Sequence, residues 1–405
     1  MKTMKRILFV DDETHVLDAL ERTFRSMRKE WHMEFAPGGE EALAILEAEP
    51  FDVIVTDMRM PGMDGARLLE LVRERYPSVL RLVLSGYFEM QTALRVAPLA
   101  HQCLMKPCSP EKLREAIERC CNCSTILPNE ATRLVLNAVG ELPSLPSTYA
   151  AILEALHDPE TSLKEIGKII EQDVGMTAKI LQLVNSSFFA IPQEIDSIPT
   201  AVSFLGLDML KQLVLTVEIF RAFQTERPLA GFSLGAFQRH SHLAAGIAGC
   251  LPASKSISQA AVIAALLHDT GKLILAWRAP EQFEAALRLS AAENRELYTA
   301  ERELTGTDHA QAGAYLLALW GLPNGIVNAI FSHHHPPVPS EQSQLDIAGV
   351  VHLANALANE LASHGPAEAQ LVHAGVDMEY LNALGMAAEL PVWRTAALEL
   401  SQNVN

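Results

Sequence analysis

Over its first 120 residues the chain alternates between short apolar runs and stretches of helical period, and each run ends on polar residues. The run at 6–10 stops at Asp11 and Asp12. Val16, Leu17, Leu20 and Phe24 then share one face, which predicts an amphipathic helix. Residues 31–36 read as an edge strand and 40–46 as helix. The apolar run at 53–55 stops at Thr56 and Asp57, and Pro61, Gly62 and Gly65 break the chain before helical period resumes at 66. A helix over 68–72 halts near Pro77. Residues 80–84 are a fourth strand ending at Ser85, 90–96 a weak helix, and 102–105 a fifth strand ending at Lys106 and Pro107. Ser109 then caps a helix whose first position is Pro110, where a missing N–H costs nothing. Strands and helices alternating at this spacing predict a doubly wound parallel sheet of five strands. The run at 53–55 suits a central strand buried on both faces.

Beyond residue 122 the strand pattern stops. A connector over 123–141 carries a short helical pattern at 131–139, and the breakers of Leu142-Pro-Ser-Leu-Pro146 open a new domain. Helical period dominates from there, at 149–156, 163–171, 175–185, 198–205 and 208–220, with no convincing hairpin signal. The expectation is an all-α domain over 142–360 and a helical extension over 361–405, with Trp393 as a core anchor.

Charge narrows the function. The net charge is −17, and residues beyond 123 carry 15 basic against 29 acidic side chains, so −14 of it lies there. A nucleic-acid footprint needs clustered Lys and Arg, so none is expected. No run approaches the ~20 apolar residues of a membrane span, and the apolar core at 7–10 is too short for a signal peptide. Five of the six cysteines fall within 103–123, at spacings that suit no common zinc ribbon. Reduced thiols in a helix end and linker are the expected state, which fits a cytoplasmic protein.

Asp11, Asp12, Asp57, Ser85 and Lys106 each follow a different predicted strand, so all five converge on the carboxyl edge of the sheet, where open α/β sheets bind ligands. Three crowded carboxylates repel unless a divalent cation sits among them, and hard oxygen donors suit Mg²⁺. One carboxylate can then attack a phosphoryl group, with a hydroxyl and a lysine as partners for its oxygens. On these residues and on MPGMDG after Asp57, residues 5–120 resemble the CheY-like receiver domain of two-component response regulators. The resemblance implies a flavodoxin-like fold with Asp57 as phospho-acceptor. It implies Mg²⁺ held by Asp11, Asp12 and Asp57 with the carbonyl of Arg59, Ser85 and Lys106 sensing the phosphoryl group, and a Lys106–Pro107 bond that is commonly cis. The family usually places Tyr or Phe three residues before the lysine; here Cys103 stands there.

The back half carries His240-Ser241, His268-Asp269-Thr270-Gly271-Lys272, His309 and His333-His334-His335. Imidazole and carboxylate on separate helices can make a transition-metal site. If 268 and 269 continue the helix of 260–267, their side chains point ~100° apart and reach one metal only along its flank. Unmetallated, the same groups would form a buried polar network, with Lys272 as a salt-bridge partner. LPSLP at 142–146, DVGMTAKIL at 173–181, VNSSFF at 184–189, SIPTAVSFLG at 197–206, HDTGK from 268 and IFSHH at 330–334 make residues 138–360 resemble the HDOD subgroup of the HD superfamily. HDOD domains are signalling and interaction modules, thought to have lost the hydrolase activity of metal-dependent HD phosphohydrolases. This chain keeps His240, His268, Asp269, His309, His333 and His334, but has Asn355 at the superfamily's last aspartate. The glycine-tyrosine-proline loop of the cyclic di-GMP-cleaving subgroup is replaced by His335-Pro-Pro-Val-Pro339.

These resemblances imply a cytoplasmic response regulator. A sensor histidine kinase phosphorylates Asp57, and the HDOD module acts on a downstream signalling protein by protein–protein contact. The alternative is a receiver-gated HD phosphodiesterase acting on a cyclic dinucleotide with Fe, Mn or Zn at the histidines. A DNA-binding regulator is a third, weaker class. Homodimerisation through the receiver is left open.

Overall fold

The computed structural model describes residues 4–85, 99–126, 155, 161–185, 195–206, 229–337, 345–362 and 375–403. The helices read at 90–96, 131–139, 149–156 and 208–220 and the LPSLP gate lie outside the described residues, apart from the single position 155.

Five parallel strands form one sheet: β1 (Lys5–Val10), β2 (Trp31–Ala36), β3 (Val53–Thr56), β4 (Leu80–Ser85) and β5 (Gln102–Met105), in the order β2-β1-β3-β4-β5. The predicted central strand is the central strand, and 31–36 lies at an edge. β3 is buried along its whole length, as an apolar run covered on both faces must be. Helices α1 (Thr14–Thr23), α2 (Gly39–Ala48), α3 (Gly65–Arg75) and α4 (Pro110–Ile126) join and flank the strands. The chain reverses direction after Asp57 through a close approach at Gly65. A Cβ there would overlap the carbonyl of Asp57, and the Gly65 N–H bonds to Met58 O at 3.0 Å. Ser109 caps α4 by accepting from Lys112 N at 3.3 Å. The helix runs on to Ile126, into the stretch read as connector. The Lys106–Pro107 peptide is cis.

The second half is helical: α5 (Leu163–Glu171), α6 (Val174–Asn185), α7 (Leu234–Cys250), α8 (Lys255–Leu267), α9 (Thr270–Arg278), α10 (Pro280–Glu293), α11 (Leu297–Thr305), α12 (His309–Leu319), α13 (Asn324–Ser332), α14 (Ile347–Ala362), α15 (Met378–Leu384) and α16 (Leu390–Asn403). α7, α8, α12, α13 and α14 pack on one another. The polar residues of the DVGMTAKIL stretch are structural. Asp173 caps α6 by accepting from Met176 N at 2.9 Å, and the Thr177 hydroxyl donates to Ile170 O at 3.2 Å. Trp393 is buried in the core, as read.

Two expectations change. The helix of 260–267 does not carry His268 and Asp269 on its flank. It ends at Leu267, His268 is its C-cap, and Asp269 is the N-cap of α9, so the pair occupies a junction between two helices. Across that junction Lys255–Arg278 makes a 24-residue segment apolar enough, by length and composition, to cross a membrane. Its most apolar window is 83% buried inside the fold, which is how a core helix pair passes the same test.

The two domains share one contiguous apolar core, with α4 against α12. α12 ends at Trp320 and at Gly321, whose positive φ of 79° favours glycine at a helix end. Arg119 Nη1 donates to Gly321 O at 3.4 Å. From α6, the Lys179 ammonium lies 5.2 Å from the centroid of the Trp320 ring. It also tempers the Cys103 thiol, which burial pushes well above its usual pKa.

α9 and α12 cross where both lack side chains. A Cβ at Gly271 would run into the carbonyl of His309, and Gly313 faces the Gly271 backbone. Gly271→Ala should therefore destabilise the chain by about 2 kcal/mol or more through overpacking. Denaturant unfolding of the full chain checks this; an unchanged midpoint would sink it.

Candidate functional site

At the carboxyl edge of the sheet, Asp57 is 8% exposed and Asp11 3%, with Asp12 half-buried beside them. β1 and β3 pair so that Val10 faces Thr56, which sets Asp11 and Asp57 side by side. The Lys106 ammonium, just past β5, donates to Asp11 Oδ2 at 2.5 Å and to Asp57 Oδ1 at 2.8 Å. Burial works against its charge, but the bonds to the two carboxylates win and its pKa is raised. Asp57 Oδ2 accepts from Arg59 N at 2.7 Å, and Asp11 Oδ1 accepts from Glu13 N at 3.0 Å. Ser85 ends β4, one strand over from Asp57; its side chain lies outside the described residues. Of the five residues named from the sequence, Asp11, Asp57 and Lys106 meet here through their side chains. The set is oxygen-rich and anionic, which fits a hard divalent cation such as Mg²⁺.

The second cluster gathers all seven residues singled out in the back half. α7 brings His240, the α8–α9 junction brings His268 and Asp269, and the start of α12 brings His309. The end of α13 brings His333 and His334, and α14 brings Asn355. Asp269, 2% exposed, is the centre. Its Oδ2 lies 3.4 Å from His268 Nε2, 3.7 Å from His240 Nε2 and 2.5 Å from Lys272 Nζ. Its Oδ1 lies 3.3 Å from His309 Nε2 and 3.9 Å from His333 Nε2. His334 Nε2 is 2.9 Å from His309 Nε2, and Asn355 Oδ1 is 3.1 Å from His240 Nε2.

The far sides of the rings explain why these atoms face inward. His268 and His333 each fold back on the last turn of their own helix. Their Nδ1 atoms lie 2.6 Å from Ala265 O and 2.7 Å from Ile330 O. His309 Nδ1 lies 2.6 Å from Glu301 Oε2, which also accepts from His309 N at 2.8 Å. Carbonyls and carboxylates only accept, so each of these Nδ1 atoms carries a hydrogen. A neutral ring must then present an Nε2 lone pair to the centre. Lys272 already meets Asp269 Oδ2, and His333 Nε2 has no hydrogen-bond partner, so a metal cation is one group this donor set would accept. Five imidazoles and one central carboxylate suit borderline metals such as Zn, Fe or Mn better than Mg²⁺. His240, His268 and Asp269 form one group with ligand atoms within 4.8 Å of one another, and His309, His333 and His334 form a second. Asp269 lies between them with one oxygen toward each.

Charge in the unmetallated cluster is divided unevenly. Burial holds His268, His333 and His334 below the usual imidazole pKa. Burial also opposes the charge on His309, but the Glu301 carboxylate and the bond to Asp269 raise it to about 9. Burial works against ionised Asp269 as well; the imidazoles and Lys272 outweigh it and hold its pKa well below the usual carboxylate range.

Glu301 on α11 escaped the sequence reading. It is fully buried, eight residues ahead of His309, and no motif marks it. Tyr298, whose ring stacks on His334 at 4.3 Å between centroids, was missed too. Glu301→Gln should lower the His309 pKa from about 9, because the bond to Asp269 is then left to oppose burial without the Glu301 charge. Imidazole NMR of the chelator-treated chain reads this, and a value left near 9 would refute Glu301 as the cause.

Two domain families match the chain. The response regulator receiver domain matches residues 7–118, and the HDOD domain matches residues 142–336. The hydrogenase transcriptional regulatory protein HoxA of Cupriavidus necator is 38% identical over 118 residues, 28% of this chain and 24% of that one. An uncharacterised protein of Treponema pallidum is 28% identical over 212 residues, 52% of this chain and 41% of that one. The chain thus spans less than half the length of these two relatives. The crystal structure of the MmoQ response regulator of Methylococcus capsulatus aligns at 25% identity and a TM-score of 0.47, over 60% of this chain and 98% of that one.

Proposed function

We propose, from the joining of a response regulator receiver domain to an HDOD domain, that the chain is a two-component response regulator, that Asp57 accepts a phosphoryl group from a sensor histidine kinase, and that the receiver passes the change to the helical module through α12. In the transfer an Asp57 carboxylate oxygen bonds to phosphorus as the phosphorus–nitrogen bond to the kinase histidine breaks. The Lys106 ammonium, already between Asp11 and Asp57, can follow the new oxygens. Asp11, Asp12 and Asp57, with the Arg59 carbonyl, would hold Mg²⁺, which when bound neutralises charge on the phosphoryl group.

The observation that carries the coupling is the placement of α12. Its far end, Trp320 and Gly321, meets Arg119 and Lys179, and its first residue is His309 in the histidine cluster. Eleven residues of helix span ~16 Å. Lys106 directly follows β5, and Gln102 of β5 lies close to Gly321. A shift of Lys106 toward a phosphoryl group therefore acts on the strand that α12 meets. The output is contact between the helical module and a downstream signalling protein in the cytoplasm. Beryllofluoride, a phosphoryl mimic, should change hydrogen exchange across residues 309–321 in the wild type and not in Asp57→Asn. No change in the wild type would count against the coupling.

The inward-facing Nε2 atoms favour a second reading, in which the module is a metal-dependent HD phosphodiesterase. The residues fit: His240, His268 and Asp269 would hold one ion, and Asp269, His309, His333 and His334 another. Such ions supply Lewis-acid activation of a phosphoester. Asn355 offers an uncharged oxygen where a carboxylate would add charge. Elemental analysis of the purified chain should find tightly held Fe, Mn or Zn that is lost in both His268→Ala and Asp269→Ala. Near-zero metal after growth with those metals added would leave the cluster a polar network.

A further inference from the structure

The HDOD match ends at residue 336, and the helices α14, α15 and α16 lie beyond it. From the contacts of His352 we infer that it is a positioning residue for the histidine cluster and that residues 376–403 belong to the site through it. The inference rests on the metal-binding reading above.

His352 is buried on α14, with Nδ1 2.9 Å from His333 O and Nε2 3.4 Å from Asp377 N. A carbonyl only accepts and a backbone N–H only donates. A single neutral tautomer, with hydrogen on Nδ1, therefore satisfies both neighbours. His333 is the C-cap of α13, so its carbonyl is among those a helix end leaves without an intrahelical partner. His352 supplies that partner and ties down the backbone that carries His333 and His334, two members of one ligand group.

On its other side His352 meets the C-terminal extension. Asp377 caps α15, its Oδ1 accepting from Glu379 N at 2.9 Å and Tyr380 N at 3.0 Å. The Tyr380 ring lies edge-on to His352 at 5.9 Å, and its hydroxyl fills the space a Cβ at Gly349 would need, one turn earlier on α14. α16 then packs on α7 and α14, the helices of His240 and Asn355. His352 and Asn355 are three residues apart, so one face of α14 addresses both ligand groups. His352 holds the carbonyl of His333, and Asn355 lies against His240. The extension braces that helix from behind.

Two variants of the full chain separate the halves of this contact. His352→Asn keeps an amide N–H near Nδ1, and His352→Gln keeps an acceptor oxygen near Nε2. Co²⁺ titration by calorimetry should find His352→Asn close to the wild type and His352→Gln weakened about tenfold or more, the usual loss when the partner behind a ligand is removed. Unfolding midpoints should be alike in the two variants. Equal affinity in His352→Gln and wild type would overturn the inference. So would equal weakening of both variants with a shared loss of stability. If the wild type takes up no Co²⁺, the metal reading fails by itself. Hydrogen exchange over residues 330–335 then decides: faster exchange in His352→Gln than in His352→Asn upholds positioning by His352, and equal rates overturn it.

Discussion

The Asp269 carboxylate is the constraint around which the helical half is arranged. A buried anion is costly unless cations or donors surround it. Here Lys272 and the imidazoles of His240, His268, His309 and His333 lie within 4 Å of its two oxygens. Meeting that demand takes four helices and a helix junction. His268 and His333 can reach the centre only because each sits at a helix end, where the ring folds back and returns its Nδ1 hydrogen to the last turn. Gly271 lets α9 and α12 approach closely enough for His309 to face Asp269. The cluster and the packing of the domain are one structure.

α12 gives that cluster a mechanical neighbour. Its N-terminus supplies His309 and its C-terminus meets the receiver at α4 and β5. Cys103 stands on β5, and from the helical half the Lys179 charge acts on its thiol while Gly321 lies near Gln102 of the same strand. Both polar centres thus sit at the ends of rigid elements that touch. That arrangement is compatible with an output made by contact with another protein and with one made by chemistry, because either would respond to the position of His309.

The receiver was legible almost entirely. Its apolar runs, their polar ends and its breakers translate directly into strands, turns and a converging edge, since parallel strands joined by helices all end on the same side. In the helical half the histidines were equally visible, but the reason they meet was not. Residues 268–269 read as the flank of one long helix, because apolar composition continues across a junction that only packing creates. Glu301 and His352 carried no signal, as a glutamate or histidine of an amphipathic helix looks the same whether it faces solvent or a neighbouring imidazole. The extension after 362 read only as helices around Trp393.

Local chemistry along the chain therefore determined the five-stranded receiver, the acid–lysine edge around Asp57, and the identity of the histidines and of Asp269. These follow from periodicity, from turn residues and from which side chains can hold charge. The tertiary structure decided the rest: which imidazole nitrogen faces inward, that Asp269 stands between two ligand groups, that Glu301 and His352 support them from behind, and that α12 joins the cluster to the receiver. Those are relations between residues from three to about two hundred positions apart. Helix ends, close glycine crossings and shared hydrogen-bond acceptors bring them about, and none of these exists until the helices pack.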